Sequence, residues 1–421
     1  MIAMAIVVAA LLGSLAAMNI AIDPLGYARA AGWRPATPDA LEAQFQASGA
    51  WPVPHGTREA KIFNVGLYAP TTIYFGSSTV WSYVDAGYPP ILWSDGRKAY
   101  NFGLAGVSAR EMAAAFEHAV TLDPPRRVLV GLEFYMFSAD KPSAPGYDDL
   151  PFAQRPSYRR DYWEFISQQV FSSANTTESA AIVWDAIKKT ATRWLSPSVA
   201  AAGRDVSAPR TPAEFAELML SVDKIQIVSL YPEAARPFRF TSDDGSSTLD
   251  AVRRMVELAR QHDIDLRIYL SPNHARAFET IRLLGWWPQF EEWQRQLVTI
   301  VDDDARRNPG KRPVELWDFC CYNGITTDPV AQLEDGAGFR HFADTIHFKT
   351  AVGYMVMDRM FATENAAALP ADFGVRLSAG TINDHLAGIR AAQRRYQDTH
   401  PDDVRAVVNA LQAVGRLQNQ P

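Results

Sequence analysis

The sequence predicts an α/β fold built on a doubly wound parallel sheet, with a helical insertion and an N-terminal transmembrane helix. Three observations lead there. Short runs of aliphatic, β-branched and aromatic residues alternate with helix-length amphipathic stretches, the signature of strand–helix–strand units. Several of these runs are apolar throughout, as in parallel sheets covered on both faces. The 421 residues are 48% apolar and 21% charged, enough for a sizeable core and ordinary for a globular chain.

The elements follow in order. Met1 to Ile22 carries no charged side chain, and Asp23-Pro24 ends the run. A membrane-spanning helix needs about 20 mainly apolar residues. Two readings fit, an uncleaved anchor and a cleaved export signal, for which "SLAAMNIA" supplies small residues. The run is long for the apolar part of a signal, which favours the anchor. Both put the rest of the chain outside the cytoplasmic membrane. No basic residue precedes the run, so the positive-inside rule gives no orientation. Residues 23–57 read as a tether and 58–380 as the α/β domain.

"TTIYF" (Thr71–Phe75) is a buried strand running into Gly76. A short strand over Ala99–Phe102 ends in "NFGLAG". A helix follows, opened by Ser108-x-x-Glu111, a capping box whose side chains satisfy reciprocal backbone donors. "RRVLVGLEF" (Arg126–Phe134) is the third strand. Residues 139–244 replace alternation with prolines, tyrosines and short helical stretches, a largely helical insertion. Alternation resumes with a helix capped by Ser247-x-x-Asp250, whose Val252, Met255, Val256 and Ala259 make one buried face. "IDLRIYL" (Ile264–Leu270) and "VELWDF" (Val314–Phe319) are the last two strands. A helix over Lys349–Phe361 comes next. Residues 381–421 read as two amphipathic helices broken at Pro401.

Composition excludes some functions. The formal charge is −6, and no basic run interleaves with aromatics, so nucleic acid is not an expected partner. Cys320 and Cys321 are adjacent, with no second pair and no CxxC, which excludes a zinc site built on thiolates. The pair reads as small buried residues ending a strand. The eight histidines show no HxH, HExxH or i, i+4 pair, so no metal is expected. There is no Walker loop and no GxGxxG, and no cofactor is implied. "GWWPQFEEW" (Gly285–Trp293) concentrates tryptophans, which read as packing before sugar stacking.

In open α/β sheets, reactive groups collect beyond the carboxyl ends of the strands. Ser77 and Ser78 lie beyond the first strand, where a serine caps the next helix or acts as a nucleophile facing free helix N–H groups. "NFGLAG" places glycines beyond the second strand, where backbone can approach a ligand. "ADTIHF" holds Asp344 and His347 before the last sheet helix. A hydroxyl needs a general base, and the base needs an orienting carboxylate. Asp344 three residues before His347 fits that requirement, and fits equally a capping aspartate beside a solvated histidine.

Taken together, these segments resemble the SGNH/GDSL hydrolase superfamily, from about Thr71 to Phe361. "GSS" (Gly76–Ser78) resembles its Gly-Asp-Ser block, with Ser77 in the Asp position. Asn101, Gly103 and Gly106 match its Asn-x-Gly-x-x-Gly block, and Asp344 and His347 its Asp-x-x-His block. The resemblance implies a flavodoxin-like, three-layer α/β/α fold. It implies Ser78 as nucleophile, His347 as base, Asp344 as its orienting acid, and the Ser78 and Gly106 N–H groups as oxyanion donors. An anchor before such a domain is similar to membrane-anchored polysaccharide O-acetyltransferases, the alginate-acetylation and DltD-like proteins. That implies an acylated polysaccharide substrate, a periplasmic domain on the inner membrane, and a membrane partner donating the acyl group.

One position departs from the family. Its third block supplies an asparagine to the oxyanion hole, and "GLEF" places Glu133 there, where an ionised carboxylate would repel the developing charge. Either Glu133 is protonated, or it points elsewhere, or two backbone donors suffice, or catalysis is lost. Asn273 in "SPNH" is the expected substitute donor. Ser77, Asn101, Glu133 and His274 are the expected substrate-side residues. The alternative function is an inactive, glycan-binding or scaffolding member of the fold.

Overall fold

The computed structural model describes residues 2–22, 61–62, 65–66, 70–84, 87–88, 99–142, 163–164, 167–168, 170–173, 176–177, 179–181, 183–184, 211–231, 237–333 and 336–417. The expected tether lies outside them, as does much of the insertion. The chain divides into two compact units. One is Met1–Ala69 with Thr121–Asp123 and Asp148–Val206; the other is Pro70–Val120, Pro124–Tyr147 and Ser207–Pro421. The expected insertion is therefore split, residues 148–206 grouping with the N-terminal segment and its two ends with the sheet.

In the first unit, helix α1 spans Ile2–Ile22. The amide of buried Asn19 donates to the Val170 carbonyl at 2.7 Å and to Thr176 Oγ1 at 3.0 Å, tying the last turn of α1 to part of the insertion. Among the described residues no helix is long and apolar enough to cross a membrane; the α1 side chains of residues 2–6, 8 and 9 are not among them.

The second unit holds the sheet. In chain order its elements are β1 (Thr72–Gly76), α2 (Ser78–Tyr83), β2 (Ala99–Gly103), α3 (Ala109–Leu122), β3 (Arg127–Leu132), α4 (Pro212–Leu230), α5 (Asp250–Gln261), β4 (Asp265–Leu270), α6 (Ala275–Leu283), α7 (Trp287–Arg307), β5 (Glu315–Asp318), β6 (Ala331–Leu333), β7 (Gly336–Gly338), α8 (Thr350–Phe361), β8 (Val375–Arg376), α9 (Ile382–Thr399) and α10 (Pro401–Ala413). Six strands run in the order β2-β1-β3-β4-β5-β8, parallel except for β8. The fold is mixed α/β on a mostly parallel sheet. Two features were not expected: the antiparallel edge strand β8, and the separate β6–β7 ribbon. Both are two or three residues long, too short to leave a periodic signal.

The continuous apolar runs explain the buried centre. Every residue of β1 is buried, and only Arg127 of β3 is not. Both strands are flanked on each edge by parallel neighbours. The capping box at α3 forms: Ser108 N–H donates to Glu111 Oε2 at 2.8 Å, and Glu111 N–H to Ser108 Oγ at 3.2 Å. Such caps contribute about 1 kcal/mol. Tryptophans 286 and 293 are buried against Phe134, Phe238, Phe290 and Tyr231, which makes the aromatic cluster packing. The order reverses direction between β2-β1 and β3-β4, and β1 lies at that reversal, where open α/β sheets leave a crevice beyond the strand ends.

Candidate active site at the sheet reversal

β1 delivers Gly76 to the crevice, and the chain turns at once into α2. Gly76 has to be glycine: an added Cβ would lie 2.2 Å from Val80 Cγ2. Ser77 is the N-cap of α2, its Oγ accepting from Thr79 N–H at 3.1 Å. The serine pair thus divides its labour. Because Ser77 caps the helix, Ser78 is released from that task.

Ser78 Oγ lies 2.8 Å from His347 Nε2, and His347 Nδ1 lies 2.7 Å from Asp344 Oδ2. The serine and histidine are 269 residues apart in sequence. A tight loop presents the other two groups. Phe342 and Phe348 form an antiparallel bridge, and Ala343 N–H donates to the His347 carbonyl at 2.8 Å. Asp344 Oδ1 accepts from the N–H groups of Ile346 and His347, each at 2.8 Å.

Electrostatics fix the protonation pattern. Burial alone would raise the Asp344 carboxyl, but its hydrogen bond to His347, the charge of that ring and the two amides outweigh it and hold the group below the usual carboxylate range. Burial pulls His347 down, yet the hydrogen bond and charge of Asp344 prevail and move the ring above its ordinary 6.5. An ionised Asp344 only accepts, so Nδ1 carries the proton of neutral His347 and Nε2 is free to accept from Ser78. Tyr83 stands over the site, its ring 6.0 Å from that of His347. Burial, then the Asp344 charge, push its hydroxyl up.

β2 is the parallel neighbour of β1, with Gly103 paired to Gly76, so the loop to Gly106 starts beside the serine turn. Gly103 is obligatory: a Cβ there would meet the Trp81 backbone nitrogen at 2.3 Å. Gly106 has φ 62°, a left-handed conformation suited to glycine.

Four expected substrate-side groups, and the substitute donor, have other tasks. Buried Ser77 donates to Glu133 Oε1, and Thr79 Oγ1 donates to the same oxygen at 2.8 Å. Glu133 therefore braces the turn from beneath and does not line a substrate site. Burial pushes its carboxyl up, partly offset by those two hydroxyls, and so favours the neutral form. Asn101 Nδ2 donates to the carbonyls of Val80 at 2.8 Å and Val84 at 2.9 Å, while its Oδ1 accepts from Gly103 N–H at 2.9 Å. It fastens the end of α2 to β2. Asn273 Nδ2 donates to the Ile346 carbonyl at 2.7 Å, which commits one of its two N–H groups to the loop of Asp344 and His347. His274 is fully buried, stacked on Phe339, with Nε2 at 2.8 Å from the Asp328 carbonyl. Its N–H donates to the Thr345 carbonyl at 3.1 Å. Asn273 and His274 thus hold the loop carrying Asp344 and His347.

Sequence reasoning missed a second set. Gln226 Nε2 donates to Asp344 Oδ1 at 3.0 Å, and Thr345 Oγ1 lies 2.8 Å from Gln226 Oε1 and 2.7 Å from Asp223 Oδ1. A signal existed. Phe215, Met219 and Ile227 make a buried stripe on α4, and Asp223 occupies the place in it where an apolar residue belongs.

Among the described residues, Asp318, Cys320 and Cys321 bring ligand-type atoms within 4.8 Å of one another, which the spacing argument did not foresee. Both Asp318 oxygens are engaged, by Cys320 N–H at 2.8 Å and His385 Nε2 at 2.7 Å. Burial pushes both thiols up, towards the protonated form that binds metal poorly. That donor set suits a packed strand end.

No protein-family model and no curated protein matches the sequence.

Proposed function

We propose that the chain is an exported, membrane-anchored, SGNH-type serine esterase or O-acyltransferase, with a flavodoxin-like three-layer fold, acting on acyl (most simply acetyl) esters of a polysaccharide. The observation that carries the reading is the continuous Ser78–His347–Asp344 hydrogen-bonded chain beside the sheet reversal. The strand order of the first five strands is that of flavodoxin-like sheets. The export and anchoring rest on α1, 21 residues without a charged side chain, about the span of a hydrocarbon core. Transfer, as against hydrolysis, rests on the resemblance to anchored O-acetyltransferases and calls for an acyl-donating membrane partner.

In the first half-reaction Ser78 Oγ bonds to the acyl carbonyl carbon as its proton moves to His347 Nε2. The oxyanion is stabilised by the N–H groups of Ser78, in the unbonded first turn of α2, and of Gly106. Collapse breaks the ester bond, the leaving alcohol takes the proton from His347, and Ser78 is left acylated. In the second half, water or a sugar hydroxyl loses its proton to His347 and attacks the acyl group. Ser78 departs with that proton. Asp344 keeps the imidazole in the required tautomer throughout.

A second reading, an inactive glycan-binding or scaffolding protein, is favoured by one observation. The asparagine of the family's third block is replaced by Glu133, which accepts from Ser77 and Thr79, and Asn273 gives one of its amide N–H groups to the Ile346 carbonyl. Loss of one such donor slows catalysis by about 10²–10³-fold, which leaves an active enzyme. A serine-directed fluorophosphonate separates the readings. Labelling of the full chain at Ser78, absent in His347→Ala, supports the enzyme. Absence of labelling with retained glycan binding supports the scaffold.

A further inference from the structure

Asp344 stands on two backbone amides and one side chain. The backbone bonds belong to its own loop, but the third comes from α4, more than a hundred residues earlier: Gln226 Nε2 to Oδ1 at 3.0 Å, a separation of 118 residues. The amide orientation is forced, because an ionised carboxylate only accepts and the NH₂ must face it. Gln226 Oε1 then faces Thr345 Oγ1 at 2.8 Å, and that hydroxyl also touches Asp223 Oδ1 at 2.7 Å. Asp223 is buried and paired with buried Arg276, whose Nη2 lies 2.5 Å from Oδ2. One unbroken chain of contacts therefore joins α6 (Arg276), α4 (Asp223, Gln226) and the triad loop (Thr345, Asp344).

We infer that Gln226, held by Thr345, Asp223 and Arg276, is a positioning residue that fixes the orienting acid of the triad. The inference rests on the catalytic reading above. A carboxylate with one oxygen free to swing can rotate away from Nδ1; donors on Oδ1 prevent this while Oδ2 serves His347. A buried ion pair is a costly way to hold a helix, since desolvation offsets most of the attraction. Its placement against Thr345 gives it a geometric role that packing alone would not require. Four consecutive buried positions on α4, Phe215, Met219, Asp223 and Ile227, face inward, and the one polar member meets the triad loop. The groups facing His347 itself are Asp344, Ser78 and the Tyr83 ring, and Glu133 is the further titratable group whose ionisation would act on the ring.

The test is the rate of fluorophosphonate labelling at Ser78 against pH, on the full chain, with thermal melting recorded for each variant. The wild type comes first: if it does not label, the catalytic reading falls, and the inference with it. If it labels, Gln226→Ala is expected to label at least tenfold more slowly, with the midpoint of its pH profile displaced to lower pH as the Asp344–His347 contact loosens. Gln226→Glu, the same shape with acceptors against Asp344, is expected to be slower still, and Gln226→Asn to recover no more than part of the rate. Thr345→Val provides the independent arm and shifts the same midpoint in the same direction. Labelling of Gln226→Ala and Gln226→Glu at the wild-type rate overturns the inference. So does a slowed rate with an unmoved midpoint that merely follows the loss of folded protein.

Discussion

Two aspartate–histidine pairs in this molecule look alike and differ in what surrounds them. Asp344 meets His347 at 2.7 Å, and Asp318 meets His385 at 2.7 Å. In both, burial opposes the charged forms and the partner prevails, lowering the acid and raising the base. In the first pair the second ring nitrogen faces a serine hydroxyl, and the imidazole side chain is 24% exposed. In the second the carboxylate uses Nε2, Asp318 is 1% exposed, and the contact joins α9 to the end of β5. An Asp–His contact is therefore no marker of chemistry. The marker is which nitrogen the acid takes and what the other one meets.

The sharpest break in the comparison is at the serine. Ser78→Ala abolishes fluorophosphonate labelling, and Asp344→Asn slows it by about 10⁴-fold, the scale at which a triad histidine is left in the wrong tautomer. Quantitative labelling with mass spectrometry of the modified peptide measures both. His385→Ala does the reverse. It leaves labelling of the folded protein unchanged while leaving buried Asp318 unpaired, at a cost of about 3 kcal/mol read from denaturant unfolding.

pH then separates the pairs in opposite senses. On the proposed mechanism neutral His347 is the active form, so labelling is expected to rise with pH through a midpoint above the ordinary 6.5. His385 has a raised pKa, so the stability it contributes is full below about 6.5 and is lost as pH rises through its elevated folded value. Asp318 has a lowered pKa, so its share is present above the ordinary 3.8 and lost as pH falls through the depressed value. Unfolding free energies measured against pH for wild type and His385→Ala test this: the variant loses the fall at higher pH.

The smallest effect is expected at Glu133. Glu133→Gln keeps an oxygen for Ser77 and Thr79 and changes labelling less than threefold, the change of one retained neutral hydrogen bond (about 0.6 kcal/mol). Glu133→Ala removes the acceptor that both hydroxyls share, leaving them only each other at 2.9 Å, and lowers stability by about 1–3 kcal/mol. A fall in labelling by Glu133→Gln as large as that of Asp344→Asn would assign the Glu133 charge to the reaction and erase the distinction between brace and site.

Much of this was legible in the sequence. The five parallel strands were readable because each is a short run rich in aliphatic and aromatic residues, and the structure places them within a residue or two of the expected bounds. The capping box at Ser108 and the break at Pro401 were readable because their chemistry is local. Ser78, Asp344 and His347 could be named together because the turn chemistry and block order marked them, and the fold brings their side chains into contact. What escaped is non-local. Asn101, Asn273 and His274 have side chains suited to ligands, yet their partners are backbone carbonyls and amides of remote loops, which only the folded register supplies. Gln226 has no motif at all, and Glu133 turns inward because two hydroxyls of the neighbouring strand's turn await it.

The packing of α10 on α4 carries a consequence for biogenesis. Ile227 of α4 is buried with Val407, Ala410 and Leu411 of α10, so the helix bearing Gln226 is completed by a helix far downstream in sequence. Translation delivers Ser78 well before this supporting helix. On the proposed mechanism, a nascent or trimmed chain lacking α10 would carry its serine unarmed, and acyl chemistry would begin only after that helix had emerged.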